Sequence, residues 1–239
     1  MTPKTYPSAA VAVRDAATIV LLRDGAPDAP KTGELEILLL RRHAGHVFGA
    51  NADVFPGGAL DADDEAATRL TSVRATGQAD DAWRMAAVRE CFEEAGILLV
   101  DNQARLDSAR VASLRSALNN QRLGWAEVLE AIDQPIALDR LVAFAQWTTP
   151  EGAPKRYATR FFAARAPDNQ IATADGDETI AAEWIRPAEA LAEAEAGYRK
   201  LMRPTRATLI ALSNERDSAT AIDRWAAHAK CLESPSDSR

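Results

Sequence analysis

The chain has 239 residues, of which 47 % are hydrophobic, and its formal net charge is -7 at pH 7. This composition is sufficient for a sizeable buried core, and the acidic balance argues against nonspecific attraction to nucleic acid or to an anionic membrane. Its two cysteines, Cys91 and Cys231, form neither a disulfide framework nor a zinc cluster, so a reducing cytoplasm is the expected location. No apolar run reaches the roughly 18 residues of a membrane span, and no signal peptide is predicted.

Two apolar runs in the first part of the chain predict buried strands. They are ATIVLL at residues 17–22 and LEILLL at 35–40, and a turn-rich segment separates them. The sequence VFPGG at 54–58 must end any strand there, because it contains a proline and two glycines. The next segment, about 61–81, is polar and poorly periodic, so we interpret it as an excursion from the core. A helix is predicted at 82–95.

Helices and strands alternate in the rest of the chain. The pattern predicts helices at about 107–120 and 124–132, and strands at 141–149 and 156–164. Residues 183–197 indicate a short strand and then a helix that starts at Pro187, and two more helices are expected within 204–229.

This interleaving favours one α/β domain with added helices. We expect the domain to span residues 14–200, with a helical extension at 201–230 packed on it. A disordered tail is predicted at 231–239, where the sequence is polar.

The helix predicted at 82–95 carries three glutamates on one face. With successive residues about 100° apart, Glu90, Glu93 and Glu94 lie opposite an apolar stripe centred on Val88. Beside the glutamates lie alanines whose small side chains would leave room for something to approach, Ala86 and Ala87.

Two interpretations of this carboxylate face are open at this point. It could be the solvated side of an amphipathic helix, with an Arg89–Glu93 pair worth about 0.2–0.5 kcal/mol. However, carboxylates ~6 Å apart repel by roughly 0.7 kcal/mol per pair in water, and by nearly 3 kcal/mol at an effective dielectric constant of ~20. One arginine does not offset the larger repulsion, whereas a divalent cation would. Carboxylate ligands suit Mg²⁺ or Mn²⁺.

The sequence RECFEEAGI at residues 89–97 resembles the second half of the Nudix box, REUxEExGU, where U is apolar. FPGG ahead of a box is also typical of Nudix proteins. In the family the first half is GxxxxxE, and its glycine precedes the arginine by fourteen positions. Here Gly58 precedes Arg89 by thirty-one, which implies an insertion of about seventeen residues, placed at about 61–81. Asp81, eight positions before Arg89, is interpreted as the counterpart of the glutamate in the first half.

An interrupted box resembles the acyl-coenzyme A diphosphatase subgroup of the Nudix hydrolase superfamily. Similar segments are FPGGALD at 55–61, QWTTPEGAPKRYATRFFAA at 146–164 and EWIRPAEAL at 183–191, although Tyr157 and Ala158 depart from the usual Phe and Asp. The resemblance implies an α/β fold of the α+β type: the Nudix α/β/α sandwich with a mixed sheet, plus extra helices in insertions and at the C-terminus.

The same resemblance implies a metal-dependent diphosphatase acting on a nucleoside diphosphate linked to another moiety. The first substrate expected is coenzyme A or acyl-CoA, with 3',5'-ADP and (acyl) phosphopantetheine as products. Mg²⁺ or Mn²⁺ would be bound by Glu90, Glu93 and Glu94. The implied catalytic residues are Arg89, which would orient the glutamates, together with Glu93, Glu94 and a further acid from outside the box, Glu178. Glu183 is a weaker candidate for that acid.

Substrate phosphates require cations. Arg156 and Arg160, four apart on one predicted strand, would face the same side and are predicted to bind the substrate together with Gly58. Arg41 and Arg42 follow a buried strand and could also reach a site.

There are three alternative functions. They are hydrolysis of ADP-ribose or dinucleotides, a Nudix-fold binding module without turnover, and an isopentenyl-diphosphate isomerase-like enzyme. Retention of all three box glutamates argues against the binding module, and no constellation of catalytic cysteines supports the isomerase. The expected partner is a small-molecule diphosphate, with no nucleic acid and no membrane, and a homodimer is the family expectation.

Overall fold

The computed structural model describes residues 11–25, 34–45, 49–100 and 106–233, with side chains up to residue 228. In these ranges there are nine strands: β1 (Val13–Asp24), β2 (Leu35–Arg42), β3 (Asp53–Val54), β4 (Gly57–Ala59), β5 (Val73–Arg74), β6 (Ile136–Ala137), β7 (Val142–Thr148), β8 (Arg156–Arg165) and β9 (Thr179–Ile185). The helices are α1 (Ala62–Ala67), α2 (Asp81–Ala95), α3 (Ser108–Asn119), α4 (Trp125–Ile132), α5 (Pro187–Glu195), α6 (Arg203–Leu212) and α7 (Ser218–Glu233).

A seven-stranded mixed sheet forms the centre of the described part of the chain. Its main order is β3-β2-β1-β8-β7, while β4 pairs with β1 and β9 pairs with β2. The β1–β8 pair is parallel and the other pairs are antiparallel. The two remaining strands, β5 and β6, form a separate parallel pair.

Both faces of the sheet are covered by helices. Along β1, Ile19 and Leu21 pack into a core shared with α2, α3 and α4, whereas Val20 and Leu22 pack into a second core shared with α5, α6 and α7. A strand buried on both faces is a continuous apolar run, as in ATIVLL. The mixed sheet between two helical layers confirms the predicted α/β/α sandwich. None of the helices in the described ranges combines the length and apolar character needed to cross a membrane.

The C-terminal helices contribute directly to the second core. Trp225 of α7 stacks on Phe144 of β7, with ring centroids 4.0 Å apart and planes 6° from parallel. At the start of α7, the Ser218 N–H donates to Asp24 at the end of β1 over 2.7 Å. The helices therefore cover a sheet face that would otherwise expose apolar side chains to water.

Four features differ from the sequence-based prediction. The polar segment at 61–81 contains α1 and β5, and the short strands β3, β4 and β6 were not predicted. Two- and three-residue strands are too short to show a periodic pattern. β9 begins at Thr179 rather than 183, and α7 continues to Glu233, so the first residues of the predicted tail are helical. Residues 234–239 of that tail lie outside the described part of the chain.

Candidate active site

Helix α2 crosses the sheet and carries the three glutamates to β4. Gly58, Ala17 and Arg160 are paired across β4, β1 and β8 in one row. At one end of the row Gly58 contacts the carboxylate of Glu90, and at the other Arg160 lies over the ring of Trp83, 3.9 Å from its centroid. Seven helical residues and two strand spacings both span about 10 Å, which matches a helix lying across the strands.

The alanines between these two contacts do not leave room for a ligand. Ala86 and Ala87 are fully buried, as is Ala17 in β1. Their small side chains instead let the helix approach the sheet closely. The prediction of open space beside the glutamates was therefore wrong, because the sheet itself fills it.

Arg89 is held by a buried ion pair with an acid in α1. Its guanidinium donates two hydrogen bonds to Asp64, of 2.8 and 3.0 Å, and one to the Ala59 carbonyl, of 2.9 Å. It also pairs with Glu90 and Glu93 over 2.9 and 3.0 Å. Burial opposes the charge on Arg89, but the hydrogen bonds to Asp64 and the nearby carboxylates outweigh it and raise the pKa of Arg89. One arginine thus links β4, α1 and the glutamates.

Two acids are candidates for the first half of the box, Asp81 from the sequence analysis and Asp64, and only Asp64 pairs with Arg89. Asp81 instead accepts hydrogen bonds from Thr76 and from the Gly77 N–H, and so fixes the turn that precedes α2. Asp64 follows Gly58 by six positions, which is the spacing of GxxxxxE with aspartate in place of glutamate. Counting forward from the glycine would have found it. This spacing and the contact with Arg89 favour Asp64 as the first-half acid, which would place the extra residues between Asp64 and Arg89.

All three glutamates are largely buried, which excludes a simple solvated face. Burial raises the pKa of Glu90 to about 7, with Glu93 adding to the shift and Arg89 opposing it. Burial also raises the pKa of Glu93, and it raises that of Glu94 well above its usual range, where the charge of Glu90 contributes further. The Gly57 N–H donates to Glu94 over 3.0 Å. The negative charge on this turn is therefore only partly compensated by the protein.

Both glycines of FPGG lie where a side chain would clash with a neighbouring group. A Cβ on Gly57 would lie 2.5 Å from the carbonyl oxygen of Ala17 in β1, and a Cβ on Gly58 would lie 2.5 Å from the carboxyl carbon of Glu90. A residue with a side chain at either position would push β4 away from the strand or from the helix. The structure thus places Gly58 against Glu90, where it permits close contact with a carboxylate.

Glu178 lies near this carboxylate turn. It is exposed on the loop before β9, and its charge raises the pKa values of Glu90, Glu93 and Glu94. Its carbonyl accepts a hydrogen bond from the His43 N–H over 2.9 Å. The fold therefore brings together four of the predicted catalytic and metal-binding acids.

A bulge in the β2–β9 pairing places two further groups beside the glutamates. The register shifts between Arg41 and Arg42, so that Arg42 is paired with Thr179. The Thr179 hydroxyl oxygen lies 3.3 Å from the Glu94 carbonyl oxygen, and the charge of Arg42 lowers the pKa of Glu94. Bulges commonly redirect side chains at active sites in this way. Arg41 points elsewhere and pairs with Asp53 over 2.9 Å.

Glu183, the weaker candidate, is engaged in a different cluster. Arg199, whose side chain is 5 % exposed, pairs with Glu183 over 2.6 Å and with Glu193 over 2.5 Å. It also contacts the buried Asp53 over 3.1 Å. These contacts tie β3, β9 and α5 together, so the structure gives Glu183 a structural role.

The two arginines predicted to bind substrate lie on β8. Arg160 stacks on Trp83, as described above, and the Arg156 side chain donates to the Thr149 carbonyl over 3.1 Å across the β7–β8 turn. Both contacts stabilise local structure. Substrate binding by Arg156, Arg160 and Gly58 stays a prediction.

The C-terminal end of α2 is capped by side chains that sequence reasoning missed. Arg115 donates two hydrogen bonds to the Glu93 carbonyl, of 2.8 and 3.0 Å, and Asn119 donates a third of 3.2 Å. Gly96 closes the helix with φ of 71°. These donors satisfy a carbonyl at the end of the helix, beside the glutamates. Arg115 and Asn119 follow Glu93 by 22 and 26 positions, so no local sequence pattern indicated the contact.

The donor set of the carboxylate turn fits a divalent cation. Glu90, Glu93 and Glu94 supply only carboxylate oxygens, which Mg²⁺ and Mn²⁺ prefer, and their excess charge would be offset by such an ion. Within the described residues no three acidic, histidine or cysteine side chains converge on one ligation point. The carboxylates of Glu90 and Glu93 are paired with Arg89, and that of Glu94 accepts a hydrogen bond from the Gly57 N–H.

Comparisons with known proteins agree with this geometry. A family model described as the NUDT19 Nudix domain matches residues 69–202. "Putative nudix hydrolase 7" of Caenorhabditis elegans is 31 % identical over 206 residues, covering 85 % of this chain and 62 % of that protein. Acyl-coenzyme A diphosphatase NUDT19 of Gallus gallus is 26 % identical over 235 residues, covering 74 % of this chain and 62 % of that protein.

A solved structure resembles the whole fold. The crystal structure of a NUDIX hydrolase from Alicyclobacillus acidocaldarius matches with a TM-score of 0.73 and 28 % identity, over 89 % of this chain and 96 % of that one. The chain spans 62 % of the length of the two curated relatives. The family model matches more than half of the residues of this chain, and the chain therefore belongs to the NUDT19 Nudix domain family.

Proposed function

We propose that the protein is a metal-dependent diphosphatase that cleaves coenzyme A or acyl-CoA. Water would add to one phosphorus of the P–O–P bridge, and the products would be 3',5'-ADP and (acyl) phosphopantetheine. The observation that carries this proposal is the buried turn with Glu90, Glu93 and Glu94 against Gly57 and Gly58. The substrate assignment is supported by the printed name of the chicken relative, acyl-coenzyme A diphosphatase.

The glutamates would hold Mg²⁺ or Mn²⁺. Such an ion, when bound, neutralises phosphate oxygens and lowers the pKa of a coordinated water. Arg89, fixed by Asp64, restrains Glu90 and Glu93 near the site. Arg42 supplies positive charge beside Glu94, where a phosphate would approach.

Gly58→Ala is expected to weaken metal binding by about 10- to 100-fold, the usual size for disturbing a group that orients a ligand. The added Cβ would displace the carboxylate of Glu90. Mn²⁺ titration by calorimetry measures the change. Gly124→Ala is the control, because its Cβ would lie 3.5 Å from the nearest side chains. Equal Mn²⁺ affinity in the Gly58 variant and wild type would contradict this role.

Glu178 is proposed to accept the proton of the attacking water. Glu178→Gln should therefore lower kcat by about 10²- to 10⁴-fold, the range for loss of a general base, while leaving thermal unfolding unchanged because the residue is exposed. Asp177→Asn, at the neighbouring exposed position, is the matched control and should keep its activity. If the two variants have the same kcat, Glu178 is not the base.

The substrate is tested by a panel of CoA, acyl-CoA esters, ADP-ribose and dinucleotides, each with Mg²⁺ or Mn²⁺. Mass spectrometry of the products should detect 3',5'-ADP from the CoA substrates. Its absence from every CoA reaction would remove the CoA assignment, and release of AMP from ADP-ribose would favour the alternative diphosphatase. A cytoplasmic location and a homodimer stay predictions.

A further inference from the structure

The loop before β9 is organised by a single carboxylate. Oδ1 of Asp175 accepts hydrogen bonds from three consecutive backbone N–H groups, those of Asp177 (2.6 Å), Glu178 (2.7 Å) and Thr179 (3.3 Å). Its Oδ2 accepts from the Thr179 hydroxyl over 3.0 Å. One side chain thus satisfies three consecutive backbone donors and one hydroxyl of the turn.

The path of this turn also depends on Gly176. Its φ is 92°, in the region that favours glycine, and its N–H donates to the Thr179 carbonyl over 2.9 Å. The turn is therefore closed both by a backbone hydrogen bond and by the Asp175 carboxylate.

Three contacts attach the turn to the candidate active site. The Thr173 N–H donates to the Ala95 carbonyl at the end of α2 over 2.8 Å, and the Thr179 hydroxyl oxygen lies 3.3 Å from the Glu94 carbonyl oxygen. The third is the bond from the His43 N–H to the Glu178 carbonyl. Asp175 therefore binds the N–H of Glu178, and His43, which directly follows β2, binds its carbonyl, so the backbone of Glu178 is fixed on both sides.

We propose that Asp175 is a positioning residue, which holds Glu178 beside the metal-binding glutamates for the reaction. The inference rests on the proposed function, in which Glu178 accepts the proton of the attacking water. Asp175 itself does not reach the reacting atoms, because its oxygens are used by the turn. Its effect is on the placement of Glu178, and a displacement of about 1 Å in such a group can cost 10²-fold in rate.

Asp175→Ala is expected to lower kcat by about 10- to 100-fold and to change KM by less than about threefold, because substrate contacts are kept. Asp175→Asn retains Oδ1 as an acceptor and should restore kcat to within about fivefold of wild type. Asp168→Ala, an exposed aspartate of the same connection, is the control and should leave both constants unchanged.

A double-mutant cycle separates positioning from a general structural effect. In a Glu178→Gln background, Asp175→Ala should cause less than about a twofold further loss of kcat, because the group that it positions is gone. An equal loss in both backgrounds would overturn the positioning role while leaving the proposed function intact. If Glu178→Gln alone retains wild-type kcat, the proposed role of Glu178 fails, and this inference fails with it.

Asp175→Glu keeps the experiment decisive if the alanine variant does not fold. The longer side chain keeps the charge but moves the carboxylate by one methylene, so it cannot serve the three N–H groups in the same way. A loss of kcat of about tenfold or more with normal thermal unfolding is expected. Wild-type activity of this variant would overturn the proposal.

Discussion

Glu90→Gln is expected to abolish turnover and, at the same time, to stabilise the metal-free protein. Activity should fall by about 10³-fold, as when a charged group that stabilises the transition state is removed. Burial raises the pKa of Glu90 to about 7, which means that the ionised carboxylate destabilises the folded protein. Removing this charge should therefore raise the free energy of unfolding. Glutamine has nearly the same shape without the charge.

The effect on stability has a definite pH dependence. An acid with an ordinary pKa of 4.5 when unfolded and about 7 when folded binds its proton more tightly in the native state. The free energy of unfolding therefore falls as pH rises through this window, by roughly 3 kcal/mol in total. Below pH 4.5 the variant and wild type should have the same Tm, and near pH 8 the variant should melt about 6–12 °C higher.

Differential scanning calorimetry of the metal-free proteins between pH 4 and 8 measures this difference. Glu130→Gln, on the exposed face of α4, is the control and should follow wild type at every pH. Addition of Mn²⁺ should stabilise wild type more than the Glu90 variant, because ligand binding to the native state raises its stability. A Glu90 variant that is less stable than wild type at pH 8 would contradict the charge argument.

The sequence was sufficient for the parts of the fold that have a repeated pattern. The strands β1, β2, β7 and β8 and the helices α2, α3 and α4 lie close to their predicted positions, because each has an apolar run or a helical period several residues long. The glutamates of α2 were also found from sequence, since adjacent helical positions fix their relative direction. In these cases the order of neighbouring residues was sufficient to predict the element or the face.

Contacts between distant segments could not be predicted in the same way. Asp175 organises its turn through hydrogen bonds that have no apolar pattern, and Thr179 reaches Glu94 only because a bulge redirects it. Arg160 followed the predicted strand, but its stacking on Trp83 depends on the crossing of α2 over the sheet. The face of the strand on which Arg160 lies could be predicted from the sequence. The residue of the neighbouring helix that it contacts could not.

Asp64 and Asp81 give the sharpest test of how the interrupted box is assembled. Asp64→Asn removes the charge that Arg89 needs in a site where Asp64 is fully buried. Breaking a buried ion pair from one side costs about 3–5 kcal/mol, because the remaining charge stays buried. Arg89 would then be restrained only by the glutamates, so turnover should also fall.

Asp81→Asn should behave differently. Asp81 bonds to Thr76 and Gly77, not to Arg89, so its replacement should cost about 0.5–2 kcal/mol, as for loss of a helix-start contact, and leave kcat unchanged. Urea unfolding and kcat with the fastest substrate measure both variants, and Glu65→Gln, an exposed neighbour of Asp64 in α1, controls for the helix. A loss of kcat in the Asp81 variant with normal activity in the Asp64 variant would return the first-half acid to Asp81. The expected opposite result would mean that the chain keeps the glycine and acid of the box together and adds its extra residues after them, so that a buried ion pair across α1 and α2 holds the two separated halves in contact.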